Sequence, residues 1–208
     1  MADPNTEGTI RDELRALFAA EERGVLDARE RAEGADPSSS PVGPEEGALL
    51  GWLAGRLPRD GVADVVELGA AGGIGALHIV PALPPGAMLT TIEPDAHAHA
   101  LASEALEVAG HGDRVRAILG DPAEVLPRLA DARYGMCVLQ GDPRRHLALL
   151  EDVLRVLTPG GLLVVRGVLR RGEHGMALAR LLGQVADDPR LHATVLQEHE
   201  GVLLVTRR

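Results

Sequence analysis

Short apolar runs alternate with helix-like segments along most of the chain. The runs that predict β-strands are, in order, Val65–Leu68, Met88–Ile92, Val115–Leu119, Met136–Leu139 and Leu162–Val165. Between them, apolar residues recur at helical spacing over about Gly75–Leu83, Ala96–Ala109, Ala123–Leu129 and His146–Leu157. Strands and helices in strict turn favour a parallel sheet wound by right-handed crossovers. The pattern therefore predicts a doubly wound, mostly parallel α/β fold.

The start of the chain departs from this alternation. Thr9–Arg31 is rich in Ala, Leu, Glu and Arg and predicts one or two helices, while the composition of Gly34–Pro44 predicts a loop. Glu45–Leu57 again has helical spacing and predicts the helix that leads into the sheet. The N-terminal helices therefore precede the sheet.

The end of the chain departs as well. After a predicted helix at Gly175–Val185, two apolar runs, Leu191–Gln197 and Gly201–Thr206, flank Glu198-His199-Glu200 and predict an antiparallel C-terminal hairpin. We expect a single domain over residues 1–208, with a helical segment at 9–33, a loop at 34–44 and the α/β core at 45–208.

Charge and composition exclude several classes of function. The net charge of -10, with one Trp, one Tyr and one Phe, argues against binding to nucleic acid. All 21 basic residues are arginine, which excludes a lysine base, a Schiff base and a P-loop lysine. The apolar runs are too short to span a bilayer, so we expect no membrane segment.

Two further features bear on the compartment. The single cysteine, Cys137, lies in an apolar run, which predicts a buried structural thiol rather than a disulfide or a metal-thiolate site. Met1–Ile10 is polar and acidic, without the features of a secretion signal. We therefore expect a cytoplasmic protein.

A glycine-rich turn follows the first predicted strand. It runs Glu67-Leu68-Gly69-Ala70-Ala71-Gly72-Gly73-Ile74-Gly75, and its small residues allow a ligand to approach the backbone at a helix N-terminus. The dinucleotide pattern G-x-G-x-x-G fails here, because Ala76, Leu77 and His78 follow Gly75. A dehydrogenase is therefore disfavoured.

Three carboxylates lie around this turn at the ends of successive strands. Glu67 precedes the glycines, Glu93 ends the second strand, and Asp121 follows the third. A carboxylate at the end of the second strand can accept both hydroxyls of a ribose, and a negatively charged site suits a cationic sulfonium but repels a pyrophosphate. The spacing favours a methyl donor over NAD.

These motifs together resemble the class I S-adenosylmethionine-dependent O-methyltransferases, in the bacterial branch similar to catechol and caffeoyl-coenzyme A O-methyltransferases. The resemblance extends from about Val42 to the C-terminus. It is carried by Val42-Gly43-Pro44-Glu45-Glu46-Gly47, Glu67–Gly75, Leu83-Pro84-Pro85-Gly86, Thr91-Ile92-Glu93-Pro94-Asp95, Gly120-Asp121 and Leu157–Val165.

The resemblance implies a Rossmann-like methyltransferase sheet and S-adenosylmethionine as cofactor. It implies that Glu67 lines the methionine portion of the donor, that Glu93 holds the ribose and that Asp121 lies by the adenine. The full set of expected donor-binding residues is Glu67, Gly69, Ala70, Ala71, Gly73, Glu93, Pro94, Gly120, Asp121 and Gln140. For Glu67, Glu93 and Asp121, capping of backbone amides or exposure to solvent remains the alternative.

The sequence departs from this family at its metal site. The family holds a divalent cation through an aspartate after the fourth strand and an Asp-Asn pair after the fifth, but those positions match Gln140 and Arg166-Gly167 here. The family's lysine after the fourth strand aligns with Pro143, and its Tyr-Ser in the glycine loop aligns with Ile74-Gly75. We therefore expect no bound metal.

Two explanations of these losses stay open. In the first, the enzyme methylates oxygen of a small molecule without a metal, with Arg166 stabilising the acceptor oxygen and Asp142 or His146 as catalytic residues. His174, Arg170 and Arg171 are further candidates. In the second, the chain is a catalytically degenerate donor-binding or scaffold protein. The family is commonly dimeric, and Trp52 and Leu53 could supply apolar surface for a homodimer.

Overall fold

A seven-stranded sheet forms the centre of the protein. The computed structural model describes residues 4–33, 42–197 and 200–208. The strands are β1 Val65–Leu68, β2 Leu89–Glu93, β3 Val115–Leu119, β4 Tyr134–Leu139, β5 Leu157–Arg166, β6 Leu191–Leu196 and β7 Val202–Arg207. They lie in the order β3-β2-β1-β4-β5-β7-β6. β1 to β5 are parallel, and β7 pairs antiparallel with both β5 and β6.

Eight α-helices are present in the described residues. They are α1 Pro4–Phe18, α2 Arg23–Ala32, α3 Pro44–Gly55, α4 Ile74–Ala82, α5 Ala96–Val108, α6 Pro122–Val125, α7 Pro143–Val156 and α8 Gly172–Asp187. The predicted doubly wound sheet, its C-terminal hairpin and the preceding helices are therefore confirmed. Of the predicted loop at 34–44, residues 34–41 lie outside the described residues, as do 198 and 199 in the hairpin turn.

Several boundaries differ from the predicted ones, and a polar cap explains the shift of α7. α7 begins at Pro143 rather than His146, because Asp142 accepts a hydrogen bond from the Arg144 amide and proline suits the first helical turn. β5 begins at Leu157, five residues before the predicted Leu162, because Leu157 pairs with Tyr134 of β4 and residues 158–161 form an irregular segment before Leu162 pairs with Met136. Neither the cap of α7 nor the early start of β5 is visible in the spacing of apolar residues.

Helices cover both faces of the sheet. On one face, α7 and α8 pack Leu150, Val153 and Leu178 against the buried side chains of β4 and β5. On the other face, α3 and α4 contribute Leu50 and Ile79 to a second core that also includes Val25 of α2. Cys137 of β4 is fully buried, and burial raises the pKa of its thiol, as expected for a structural residue. None of the described helices is long and apolar enough to cross a bilayer.

The strand order reverses between β1 and β4, which opens a crevice beyond their carboxyl ends. The loops that follow β1 and β4 meet in this crevice at Gly69, which has φ +93°. A Cβ at Gly69 would lie 3.0 Å from the Gly141 backbone nitrogen. Glycine is therefore required where the glycine-rich turn passes the loop after β4. This contact places the candidate binding residues of β1 and β4 side by side.

Gly73 should be far less tolerant of substitution than Gly86, although both have left-handed backbone. Gly73 has φ +86° and its Cβ would lie 3.0 Å from the Ala102 Cα, whereas Gly86 has φ +81° and open space around it. We expect Gly86→Ala to lower the free energy of unfolding by roughly 1 kcal/mol, from backbone strain alone. Gly73→Ala should lose roughly 2–4 kcal/mol, because overpacking adds to that strain. Urea unfolding measures both, and equal losses would contradict the packing argument.

Candidate functional site

The carboxylate of Glu93 holds the glycine-rich turn in place. Its Oε2 accepts hydrogen bonds from the backbone amides of Ala70 at 2.7 Å and Ala71 at 3.4 Å, and its Oε1 accepts one from Asp95 at 3.0 Å. The contact follows from the fold, since β1 and β2 are parallel neighbours that end at the same edge of the sheet. Ala71 has φ +42°, so the turn is strained and this contact helps to hold it.

Glu93 keeps some capacity for a ligand while it holds the turn. A carboxylate offers about four lone-pair positions, two on each oxygen. The three amides use both positions on Oε2 and one on Oε1, which leaves one position on Oε1. One acceptor position of Glu93 therefore remains for a hydroxyl group of a ligand, and a second becomes available only if the long Ala71 contact is released.

Glu67 lies fully buried at the crevice, with a polar partner on each side. The Thr91 hydroxyl of β2 is 2.9 Å from its Oε2, and the Gln140 side-chain amide donates to its Oε1. Burial raises the pKa of Glu67 to about 8, against the lowering effects of Thr91, the Arg166 charge and Gln140. Glu67 is therefore mostly protonated and uncharged at neutral pH.

The same polar chain continues through β5 to α3. Arg166 donates through Nη1 to Gln140 Oε1 at 2.7 Å and through Nη2 to Glu46 Oε2 at 2.5 Å. Because a guanidinium only donates, Gln140 must present its oxygen to Arg166 and its amide nitrogen to Glu67. The series Glu46, Arg166, Gln140, Glu67 and Thr91 is called the buried polar chain below.

Gly75 leaves the space that the buried polar chain requires. A Cβ at this position would lie 2.5 Å from Glu67 Oε1 and 2.7 Å from Gln140 Nε2. The serine that the resembling family has here would therefore displace the Glu67–Gln140 hydrogen bond. The absence of a side chain at Gly75 is therefore what allows Gln140 to contact Glu67.

The residues at the family's metal positions do not fit a divalent cation. A hard cation needs several oxygen ligands, usually including carboxylates. Here Arg166 is a fixed positive charge that only donates hydrogen bonds, and the oxygen of Gln140 is already engaged with it. Among the residues that the structure describes, no group of three or more His, Cys, Asp or Glu side chains could hold a metal ion.

The expected adenine-side residues lie at the ends of β2 and β3. Asp121 accepts from the Ala123 amide at 2.9 Å at the start of α6, and both of its carboxylate oxygens bind Arg145. The Arg145 hydrogen bond is the largest cause of the lowered pKa of Asp121, so this carboxyl stays ionised. Gly120 donates to the Glu93 carbonyl at 3.0 Å, and Pro94 is exposed beside them. Their donor-binding roles stay predictions.

Two of the expected catalytic residues have structural partners. Asp142 caps α7 and is held by the Arg144 guanidinium, which lowers its pKa. His174 is 3.9 Å from Asp142 Oδ1. His146 is buried, which lowers its pKa, and its Nε2 lies 2.9 Å from the Gln140 carbonyl oxygen, so that nitrogen carries the proton. His146 thus supports the loop that carries Gln140, and catalytic roles for Asp142 and His146 stay predictions.

The sequence alone assigns no role to two members of the buried polar chain. Thr91 and Glu46 were part of family-like segments, but neither was assigned a role. For Glu46 the available signal was charge: Arg166 replaces a metal ligand within an apolar strand, and a buried arginine requires an acidic partner. That signal indicates that a partner exists without indicating where along the chain it lies.

Comparison with known proteins gives a consistent result. A family model described as O-methyltransferase matches residues 21–208. A protein of Mycobacteroides abscessus, named as an O-methyltransferase, is 34% identical to this chain over 193 residues. The match covers 88% of this chain and 87% of that protein. A structure from Corynebacterium glutamicum has a TM-score of 0.86 at 24% identity, covering 98% of this chain and 97% of that one.

Solved structures of similar fold include one with a bound ligand. It is the O-methyltransferase TomG from Streptomyces achromogenes, involved in tomaymycin synthesis and solved in complex with S-adenosylmethionine. Its TM-score is 0.85 at 22% identity, covering 100% of this chain and 99% of that one. This similarity shows that the two proteins share a fold.

Glu67 should make stability fall as pH rises through the neutral range. Its pKa rises from the model-peptide value of 4.5 to about 8 in the folded protein, so between these limits the folded state binds more protons than the unfolded state. For one extra proton bound by the folded state, each rise of one pH unit lowers the free energy of unfolding by up to about 1.4 kcal/mol. Glu67→Gln keeps both hydrogen-bond contacts but does not titrate.

Urea unfolding of the wild type and Glu67→Gln at pH 5.5, 6.5 and 7.5 measures this contribution. We expect a shallower fall with pH in the variant, while all other titrating groups contribute equally to both proteins. Parallel pH dependences would show that Glu67 titrates normally in the folded state.

Proposed function

Because the chain belongs to the O-methyltransferase family, we propose that it transfers a methyl group from S-adenosylmethionine to an oxygen of a small molecule without a divalent cation. The observation that carries this proposal is the Arg166 guanidinium, which lies between Gln140 and Glu46 at the family's metal position. The buried polar chain thus supplies a positive charge where the resembling enzymes use an ion.

The donor site is built from the glycine-rich turn and the acids at the strand ends. When bound, S-adenosylmethionine supplies a methyl group on a positively charged sulfur. Glu67 and the turn at Gly69 and Gly73 would line its methionine portion, Glu93 would accept from its ribose, and Asp121 would lie by its adenine. The negative charge of Glu93 supports this assignment, because it attracts a cationic ligand, whereas Arg145 balances the charge of Asp121.

Arg166 would act on the acceptor oxygen. As a hydroxyl loses its proton, negative charge grows on the oxygen, and a preorganised cation stabilises that charge most where water is excluded. Arg166 is only 7% exposed and is held by two side chains, so little reorganisation is needed during the reaction. The guanidinium therefore offers the electrostatic part of what a metal offers, without an open coordination position.

Removal of Arg166 should separate methyl transfer from donor binding. We expect Arg166→Ala to lower kcat for any acceptor by roughly 100-fold or more, as for the loss of one fixed charge-stabilising donor. Donor affinity in calorimetric titration should stay within a few-fold. Wild-type turnover should be unchanged by magnesium or a chelator, because no cation participates.

The matched control for this variant addresses its buried partner. Arg166→Ala leaves the partly buried Glu46 without its charged partner, which costs stability, so the double variant Arg166→Met with Glu46→Gln removes both charges together. It should fold better than Arg166→Ala and remain inactive. Turnover that survives in either variant, or that requires magnesium in the wild type, would contradict the role given to Arg166. Absence of donor binding to the wild type would instead favour a scaffold protein.

The proposal has two further parts, a cytoplasmic location and a homodimeric assembly of single-domain chains. Trp52 on α3 is 64% exposed, and Leu17 and Phe18 on α1 are 73% and 75% exposed, so the outer side of these helices carries apolar surface. Such surface on a globular protein often marks an interface between chains.

A charge at Trp52 should disrupt that assembly. We expect the wild type to sediment as a dimer in analytical ultracentrifugation and Trp52→Glu to shift toward monomer, because the carboxylate must lose its hydration in the interface. Val108→Glu is the control, since Val108 is 68% exposed on α5 and not on this surface. A monomeric wild type would overturn the dimer.

A further inference from the structure

Glu67 is a buried acid that forms no ion pair within the described part of the chain. Its carboxyl group is fully buried, with the Thr91 hydroxyl 2.9 Å from Oε2 and the Gln140 side-chain amide at Oε1. Arg166 acts on it through its charge but donates to Gln140 and Glu46 instead. A buried carboxylate that is not paired with a cation is unfavourable and takes up a proton. The free protein therefore holds a proton in the interior of the site.

The charged groups around this carboxyl group do not fix its protonation state once a ligand adds a charge. Burial is the largest effect and raises the pKa of Glu67 to about 8. The charge of Glu93 on β2 acts in the same direction, whereas the charge of Arg166 on β5 opposes both. Glu46 lies beyond Arg166 and neutralises that guanidinium. A further positive charge within roughly 4–6 Å would favour the ionised form and release the proton.

The hydrogen bonds of Glu67 suit both protonation states without movement of heavy atoms. A hydroxyl can donate or accept, so Thr91 donates to the ionised carboxylate and accepts from the protonated one. The Gln140 amide donates to Oε1 in both states, because Arg166 binds the Gln140 oxygen and fixes the orientation of that side chain. Loss of the proton therefore requires only the rotation of one hydroxyl hydrogen.

Glu67 lies next to the glycine-rich turn and the start of α4. It precedes Gly69 by two residues, and a Cβ at Gly75, in the first turn of α4, would lie 2.5 Å from its Oε1. The N-terminus of a helix carries partial positive charge and favours a nearby carboxylate. Gln140 and Gly75, the neighbours from β4 and α4, do not titrate. The ionised form is thus supported from one side, and a cation in the turn would complete the compensation of its charge.

We propose that binding of S-adenosylmethionine releases a proton from Glu67, because the ammonium group of the methionine portion then compensates the carboxylate. The inference rests on the proposed function and deepens it, since it assigns a proton transfer and a pH dependence to donor binding. The exchange balances: the O–H bond of the carboxyl group breaks, its proton passes to solvent, and both electrons of the bond stay on Glu67. The carboxylate then interacts with the ammonium cation.

Proton release makes donor affinity depend on pH. While Glu67 is protonated in the free protein and ionised in the complex, each rise of one pH unit should strengthen donor binding by up to about tenfold. The dependence should be visible between pH 6.0 and 7.0, where the α-amino group of the donor, with a pKa of roughly 7.7–8.0, stays protonated. 5′-Methylthioadenosine lacks the whole amino-acid portion, so its binding should leave the proton on Glu67.

The proton release is measured by calorimetric titration at pH 6.5 in PIPES and in imidazole buffer. These buffers differ in their enthalpy of protonation, so the difference between the observed binding enthalpies gives the number of protons released. We expect roughly one proton for S-adenosylmethionine and for S-adenosylhomocysteine, which both carry the ammonium group, and close to none for 5′-methylthioadenosine. Glu67→Gln keeps the hydrogen-bond contacts but cannot titrate, so it should release close to none with any of these ligands.

Thr91→Val gives a second test in which Glu67 itself is retained. Valine has nearly the shape of threonine but lacks the hydroxyl that lies 2.9 Å from Glu67 Oε2. A hydrogen bond to a charged group is stronger than one to a neutral group, so this variant should disfavour the ionised carboxylate. We expect it to bind S-adenosylhomocysteine roughly fivefold more weakly at pH 6.5, and to bind 5′-methylthioadenosine within about twofold of the wild type.

The remaining outcomes each decide a different point. Proton uptake, or no exchange of protons, when S-adenosylmethionine binds to the wild type would overturn the inference. Equal proton release by the wild type and Glu67→Gln, with both folded by urea unfolding, would show that the proton comes from another group. Proton release on binding of 5′-methylthioadenosine would overturn the role of the ammonium group. Failure of both S-adenosylmethionine and S-adenosylhomocysteine to bind would overturn the proposed function itself.

Discussion

The need to pair a buried guanidinium organises the whole site. Arg166 lies at the carboxyl end of the central strand β5, and a charge in that position is tolerated only when other groups satisfy it. Glu46 neutralises it from α3, and Gln140 accepts its second hydrogen bond. Because the arginine only donates, it also fixes the orientation of the Gln140 amide and thereby the contact with Glu67.

This arrangement connects two regions that would otherwise be independent. One end of the buried polar chain lies beside the glycine-rich turn. At the other end, Glu46 lines a cavity between α1, α3 and the C-terminal hairpin. The connection between them is the Arg166 guanidinium. Gly75 and Gln140 are therefore consistent parts of a changed site, since the glycine leaves room for the Glu67–Gln140 hydrogen bond.

The sheet, and the placement of the candidate donor-binding acids along one edge of it, could be predicted from the sequence. Alternating apolar runs and helical periods determine a wound parallel sheet, and the parallel ends of β1, β2 and β3 must then place Glu67, Glu93 and Asp121 along one edge. The glycine-rich turn predicts close approach of a ligand, which stays a prediction, whereas the close contact at Gly69 is with the backbone of Gly141. The predicted starts of helices are less accurate, because a capping residue such as Asp142 acts through a single hydrogen bond that does not affect the spacing of apolar residues.

The sequence by itself thus determined the fold and the family resemblance, and it predicts that the family's metal ligands are absent, since each depends on local pattern or on residue identity. Only the tertiary structure decided what replaced those ligands. Glu46 and Arg166 are 120 residues apart, and Asp121 and Arg145 are 24 apart, so neither pairing has a signature in the local sequence. The physical reason is that burial selects the partner of a charge in space, through the packing of α3, β5 and α7, rather than along the chain.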